Sequence, residues 1–193
     1  MTQTSRQPAV VRRVHLADGQ AMREFVLGLS GASRRSRFHG VLNGVSPSLL
    51  RRLISADGEQ QAAWVACVWG IHGEEIVGEA VWSIVEPEQR IAEFAISVRD
   101  DWHGHGIADE LMGTLLKAAR ESGLRELYGD VLEANARMLA FMRRHGLHPD
   151  VCEPSAEPGI VRVGCLFPAS AKSSDEPSGA RQSWLVRLTS RWS

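Results

Sequence analysis

The stretch Val98-Arg99-Asp100-Asp101-Trp102-His103-Gly104-His105-Gly106-Ile107-Ala108 runs from a β-branched strand end through a turn with two glycines into a long amphipathic pattern. Where a turn opens a helix, the first backbone N–H groups have no partner within the helix, and the helix dipole adds partial positive charge there. Together they make a concave seat for an anion, a diphosphate for example. Gly104 and Gly106 lack side chains, so a bulky anion can approach the main chain. The same two glycines also suit an ordinary tight turn, and spacing alone leaves both readings open. Two related motifs are excluded. A nucleotide P-loop needs Gly-Lys-Ser/Thr, which is absent, and a dinucleotide fingerprint needs a glycine where Asp109 stands.

Such a loop has to be held from both sides. Residues 90–99 read as a strand. Residues 104–122 read as a helix, with Ile107, Leu111, Leu115 and Ala118 on one stripe, and Gly123 is placed to end it. Residues 124–132 read as the next strand and 135–145 as a second helix, closed by Gly146, with Arg143, Arg144 and His145 at its negative end. Strand, helix, strand in that order makes two parallel strands around a crossover helix. Upstream, residues 9–16 form a first strand, and Asp18 is placed to cap a helix that ends at Leu29. The run Arg34-Arg35-Ser36-Arg37 is expected in a loop. Ser46-Pro47 opens another helix, which ends near Asp57-Gly58. Strands at 62–71 and 75–85, joined by a turn at His72-Gly73-Glu74, complete an antiparallel meander with 90–99, and 151–166 holds a final strand or hairpin. The fold class is mixed α+β: a mostly antiparallel sheet with one parallel pair, flanked by about four helices. A flexible N-terminus (1–8) precedes the domain (9–168). A tail (169–193) follows, its first part rich in Ser, Ala, Pro and Gly.

Composition narrows the function classes. A net charge of -1 provides no basic field to recruit nucleic acid. No run approaches the ~18 apolar residues of a membrane span, and the start of the chain has no apolar signal core. Cys67, Cys152 and Cys165 have no paired spacing, so neither a disulfide framework nor a metal site is expected. Buried, inert thiols in a reducing cytoplasm are the reading. Trp64, Trp69 and Trp82 lie in strands, as core or sheet-face residues. Arg34, Arg35 and Arg37 form a solvated face or a contact for phosphates or an acidic substrate loop.

His103-Gly104-His105-Gly106-Ile107-Ala108 resembles the Gln/Arg-x-x-Gly-x-Gly/Ala signature of the GNAT N-acetyltransferases. The likeness continues in Ala92-Glu93-Phe94-Ala95-Ile96-Ser97-Val98, in Val131-Leu132-Glu133-Ala134-Asn135-Ala136-Arg137-Met138-Leu139, in Arg37-Phe38 and in Ile76-Val77-Gly78. It is nearest to the catalytic domain of bacterial protein lysine acetyltransferases and spans roughly 10–167. The resemblance implies a GNAT fold with a splayed parallel pair and acetyl-CoA as acyl donor. It implies diphosphate on the amides of His103, Gly104, His105, Gly106, Ile107 and Ala108. It further implies pantetheine along Ile96, Ser97 and Val98, and cofactor contacts from Asn135 and Met138. Regulatory domains often attached to such enzymes would not fit in this length, so control would come from partners, a homodimer among them.

Acetyl transfer needs a neutral amine, whereas a lysine amine with pKa ~10.4 is protonated at neutral pH. A general base is therefore useful. Glu93 is the candidate: alternation puts it on one face with Ala95 and Ser97 while Phe94, Ile96 and Val98 face away, and a glutamate holds this place in the similar enzymes. A β-bulge in this strand would weaken that parity. The oxyanion would be held by a backbone N–H near residues 96–98. The tyrosine often serving as general acid is replaced by Met142, and Tyr128, the only tyrosine, reads as structural. A CoA thiol of pKa ~8.5 departs with little protonation, so no acid is required. His103 and His105 replace the Gln and Arg or Lys of many relatives, so CoA affinity is expected to strengthen as pH falls through ~6.5. The function expected is acetyl transfer to a primary amine, a protein lysine or a small molecule. The alternatives are a polyamine acyltransferase and a CoA-binding sensor without turnover.

Overall fold

The computed structural model describes residues 8–40, 44–56, 58–71 and 73–168; the predicted terminal segments lie largely outside them, as does His72 of the predicted turn. Six strands, β1 (Val10–Arg13), β2 (Gln61–Gly70), β3 (Gly73–Glu86), β4 (Ile91–Val98), β5 (Glu126–Leu132) and β6 (Ile160–Leu166), form one sheet in chain order. All neighbours are antiparallel except β4 and β5, which run parallel. Helices α1 (Gly19–Gly28), α2 (Gly31–Phe38) and α3 (Pro47–Ile54) cover one face; α4 (Ile107–Glu121) and α5 (Ala136–Arg144) cover the other.

β4 shows what this layering demands of a sequence. Every one of its eight residues is buried, because both faces are covered. Phe94, Ile96 and Val98 join the core under α4, with Leu111, Met112 and Leu115. Ala95 joins the core under the N-terminal helices, with Met22, Phe25, Val26 and Leu49. The predicted alternation along β4 holds, since its pairing with β3 stays in step from Val98 to Ala92. No helix among the described residues is long and apolar enough to cross a membrane.

Several expectations are corrected. The arginine run, expected in a loop, is helical, and the described residues hold five α-helices, in keeping with the expected number of about four. Ser30 caps α2 by accepting from the Ser33 amide (3.1 Å), and arginine is a good helix former. The charge pattern alone did not show that Arg37 faces inward, where it is buried. Asp18 precedes α1 without capping it; its carboxylate instead accepts from Arg12 (2.8 Å to each oxygen) and from the His15 amide (2.7 Å). Trp64 and Trp82 are buried, whereas Trp69, near the β2–β3 turn, is 70% exposed. Cys152 and Cys165 are only half-buried, although burial still pushes the Cys165 thiol up to about 11 and that of Cys67 up to about 12.

Arg12 ties β1 to the turn before α1 and, through Glu74 (2.6 Å), to β3. Its hydrogen bonds to Asp18 are the main reason that this carboxyl's pKa is lowered. A depressed folded-state pKa gives stability that is present above the unfolded value of ~3.9 and is lost as pH falls through the folded one. Urea midpoints of the wild type should therefore fall more steeply than those of Asp18→Asn as pH drops from about 5 to about 2.

Candidate functional site

Parallel pairing of β4 with β5 covers only Ile91–Glu93 against Glu126–Tyr128, and beyond Glu93 the strands diverge. A side chain at Gly129 would hinder the local packing: a Cβ there would lie 2.8 Å from the Phe94 ring and 3.1 Å from its carbonyl oxygen. The divergence opens a cavity of about 500 Å³, within the usual range for small-molecule sites. β4 contributes Phe94, Ala95, Ile96, Ser97 and Val98, and β5 contributes Gly129, Asp130, Val131 and Leu132. α5 and its approach add Asn135, Met138, Phe141 and Met142; α2 adds Ser33, Ser36 and Arg37, with His39 just beyond.

From Val98 the chain makes a short 3-10 turn at Asp100–Trp102 and reaches α4 through Gly104 (φ 80°) and Gly106 (φ 79°). Both glycines take the left-handed conformation, in which other residues are strained. The loop is pinned to the strand it leaves: His103 Nε2 donates to the Val98 carbonyl (2.9 Å), and His105 Nδ1 donates to the His103 carbonyl (3.0 Å). The Trp102 and His103 amides close the 3-10 turn. Among the described residues, no amide from 104 to 109 donates to another part of the chain, which leaves a row of free N–H groups at the start of α4. Asp100 and Asp101 are engaged elsewhere, Asp100 with Ser30 and Ser33 and Asp101 with Arg99.

Of the predicted cofactor residues, Ile96, Ser97, Val98, His103, Ala108, Asn135 and Met138 all line the cavity. Gly104, His105 and Gly106 are exposed, between two lining residues. The Ile107 side chain is buried in the core, so only its amide is available to a ligand. Asn135 caps α5 by accepting from the Met138 amide (3.1 Å), which leaves its NH2 group for other partners. Met142 also lines the cavity and brings no proton donor.

Glu93 is 0% exposed and is not among the lining residues. It is in register with Tyr128, at the point where pairing ends. Beyond it the same sheet face carries ion pairs that the sequence did not reveal. Asp130, which lines the cavity, is held by both arms of Arg162 (2.8 and 2.9 Å), whose guanidinium stacks 4.1 Å over the Tyr128 ring. Arg37 Nε donates to Glu79 (2.7 Å), which also accepts from Ser97 Oγ (3.2 Å). His39 follows α2 in a left-handed conformation, with its Nδ1 buried and unbonded. Burial pushes its pKa down, against the opposing pull of the Asp130 charge and a hydrogen bond to the Asp130 backbone. Cross-strand register brings Asp130 to Arg162, and only the rotation of α2 brings Arg37 inward; neither can be read from composition or local pattern.

Residues 39–147 match the model of the Acetyltransferase (GNAT) family. An acetyltransferase of Pseudomonas aeruginosa is 33% identical over 129 residues, covering 67% of this chain and 69% of its own. Among solved structures, the GNAT domain of S. lividans PAT has a TM-score of 0.72 at 25% identity, over 82% of this chain and 90% of that one. A Mycobacterium tuberculosis protein solved in complex with CoA has a TM-score of 0.58 at 19% identity, over 82% of this chain and 99% of its own.

One measurement tests the loop. Gly106→Ala places a Cβ in the left-handed region at a cost of roughly 1–2 kcal/mol, which the free loop relieves by leaving the conformation that aligns its amides, so CoA affinity by calorimetry should fall by about fivefold or more.

Proposed function

Because the chain belongs to the GNAT acetyltransferase family, we propose that it transfers an acetyl group from acetyl-CoA to a primary amine by direct attack, in the cytoplasm. The observation that carries the reading is the fork between β4 and β5 opening beside a row of unpaired amides. The amides of residues 104–108 hold the diphosphate. The edge of β4 from Ile96 to Val98, no longer paired with β5, offers main-chain hydrogen bonds to the pantetheine arm. An amide of the same edge is available to the oxyanion.

The amine nitrogen attacks the thioester carbon and forms a tetrahedral centre; the C–S bond then breaks, and CoA leaves as a thiolate of pKa ~8.5. Met142 stands where relatives keep a tyrosine, so departure proceeds without a positioned acid. The attacking nitrogen has to shed a proton. Glu93 is the proposed base, and because it does not line the cavity, the proton reaches it through an intervening water. A second reading rests on a specific observation: His39 does line the cavity, its Nδ1 has no partner, and burial favours its neutral form. A protein lysine or a small amine is the acceptor. A CoA-binding module without turnover remains the competing class.

Calorimetry with acetyl-CoA followed by a thiol-release assay over an amine and peptide panel separates these readings. Removing a general base typically costs 10²–10⁴-fold. Glu93→Gln should lose about that much kcat while acetyl-CoA still binds. A loss in His39→Gln, with Glu93→Gln unaffected, would transfer the role to His39. Tight binding with no CoA release on any amine would favour the sensor.

A further inference from the structure

On the α2 side of the cavity the chain leaves a charged group unfinished. Arg37 is 3% exposed and lines the cavity. Its Nε donates to Glu79, whereas Nη1 and Nη2 are buried and have no hydrogen-bond partner among the described residues. A guanidinium carries five N–H donors, and leaving the fork unmet in the interior is costly. The carboxylates of this sheet face do not supply the missing acceptors. Glu79 meets Arg37 Nε and Ser97 Oγ, both at Oε1, and both oxygens of Asp130 are taken by Arg162. Two residues further on, His39 offers a buried nitrogen that is also without a partner.

A planar two-toothed donor beside a neutral lone-pair acceptor is suited to a molecule bearing both a carboxylate and an amine. We propose that the acyl acceptor is a small amino acid that binds its own carboxylate to Nη1 and Nη2 of Arg37 and presents its amine to the acyl group. This rests on the acyltransferase reading and narrows its substrate class. A lysine within a protein brings no carboxylate to this position and leaves the fork unmet. A doubly charged phosphate fits less well, because Glu79 and Asp130 stand on the same face.

The test is thiol release at saturating acetyl-CoA with the twenty amino acids, their methyl esters, and N-acetyl-lysine methylamide as a mimic of an internal lysine. Esterification lowers the basicity of the amine and leaves more of it neutral, so chemical reactivity alone favours the esters. At least one free amino acid should exceed its ester in kcat/KM by roughly 100-fold. That ratio should fall by about tenfold or more in Arg37→Lys, which keeps the charge but loses the fork. Should Arg37→Lys not fold, the pair Arg37→Met with Glu79→Gln removes both charges together and should abolish the preference. Esters or the lysine mimic used as well as the acids, a ratio unchanged by the substitutions, or no amino acid acylated by a protein that binds acetyl-CoA would each overturn the proposal. A protein that binds no acetyl-CoA would overturn the acyltransferase reading as well.

Discussion

Backbone amides and carbonyls at a strand edge need partners, and in this chain the demand is concentrated where β4 and β5 part after Glu93 and Tyr128. Edges at the rim of a sheet are met by water, but this opening lies between layers of helix, beside strands whose residues are largely buried. A ligand arm that itself contains amides fits such a gap better than an apolar one would. Gly129, which leaves space for the Phe94 ring, and the capped start of α5 shape the opening. The free amides that begin α4 lie at the end of the same strand, so one extended molecule can use both.

The electrostatics of the opposite sheet face follow a second rule, that buried charges come with counter-charges. Asp130 with Arg162 and Arg37 with Glu79 occupy side chains that are almost wholly buried. The first pair is complete, with two short bonds between carboxylate and guanidinium. The second uses only one nitrogen of the arginine. The two arginines thus stand in different states: Arg162 is spent on structure, and Arg37 keeps donors in reserve.

What could be read from the sequence follows from the range of the signals. The glycine turn before α4, the capping serine and proline of α3, and the alternation of β4 are local patterns, and they appear where expected. Asp18 looked like a cap by the same local logic, but Arg12 on the first strand competed successfully for its carboxylate. The arginine run was expected in a loop because charge resembles solvent exposure at any single position. The inward turn of Arg37 depends on a glutamate 42 residues away. The pairing of Asp130 with Arg162 depends on a strand register across 32 residues. His39 became visible only once a strand far along the chain lay against the end of α2.

Spatial order in the sheet equals order along the chain. Each strand can therefore pair with the one synthesised just before it, and the hairpins from β2 to β4 close over short separations, whereas β1 meets β2 only after α1, α2 and α3. The link from β4 to β5 differs: its strands are parallel, a whole helix intervenes, and the contact spans three residues on each strand. That seam divides an N-terminal meander from a C-terminal β5–β6 unit, and hydrogen exchange by subglobal opening would be fastest across it. A molecule lodged in the seam bridges both units, so occupancy by substrate also clamps together the two halves of the fold.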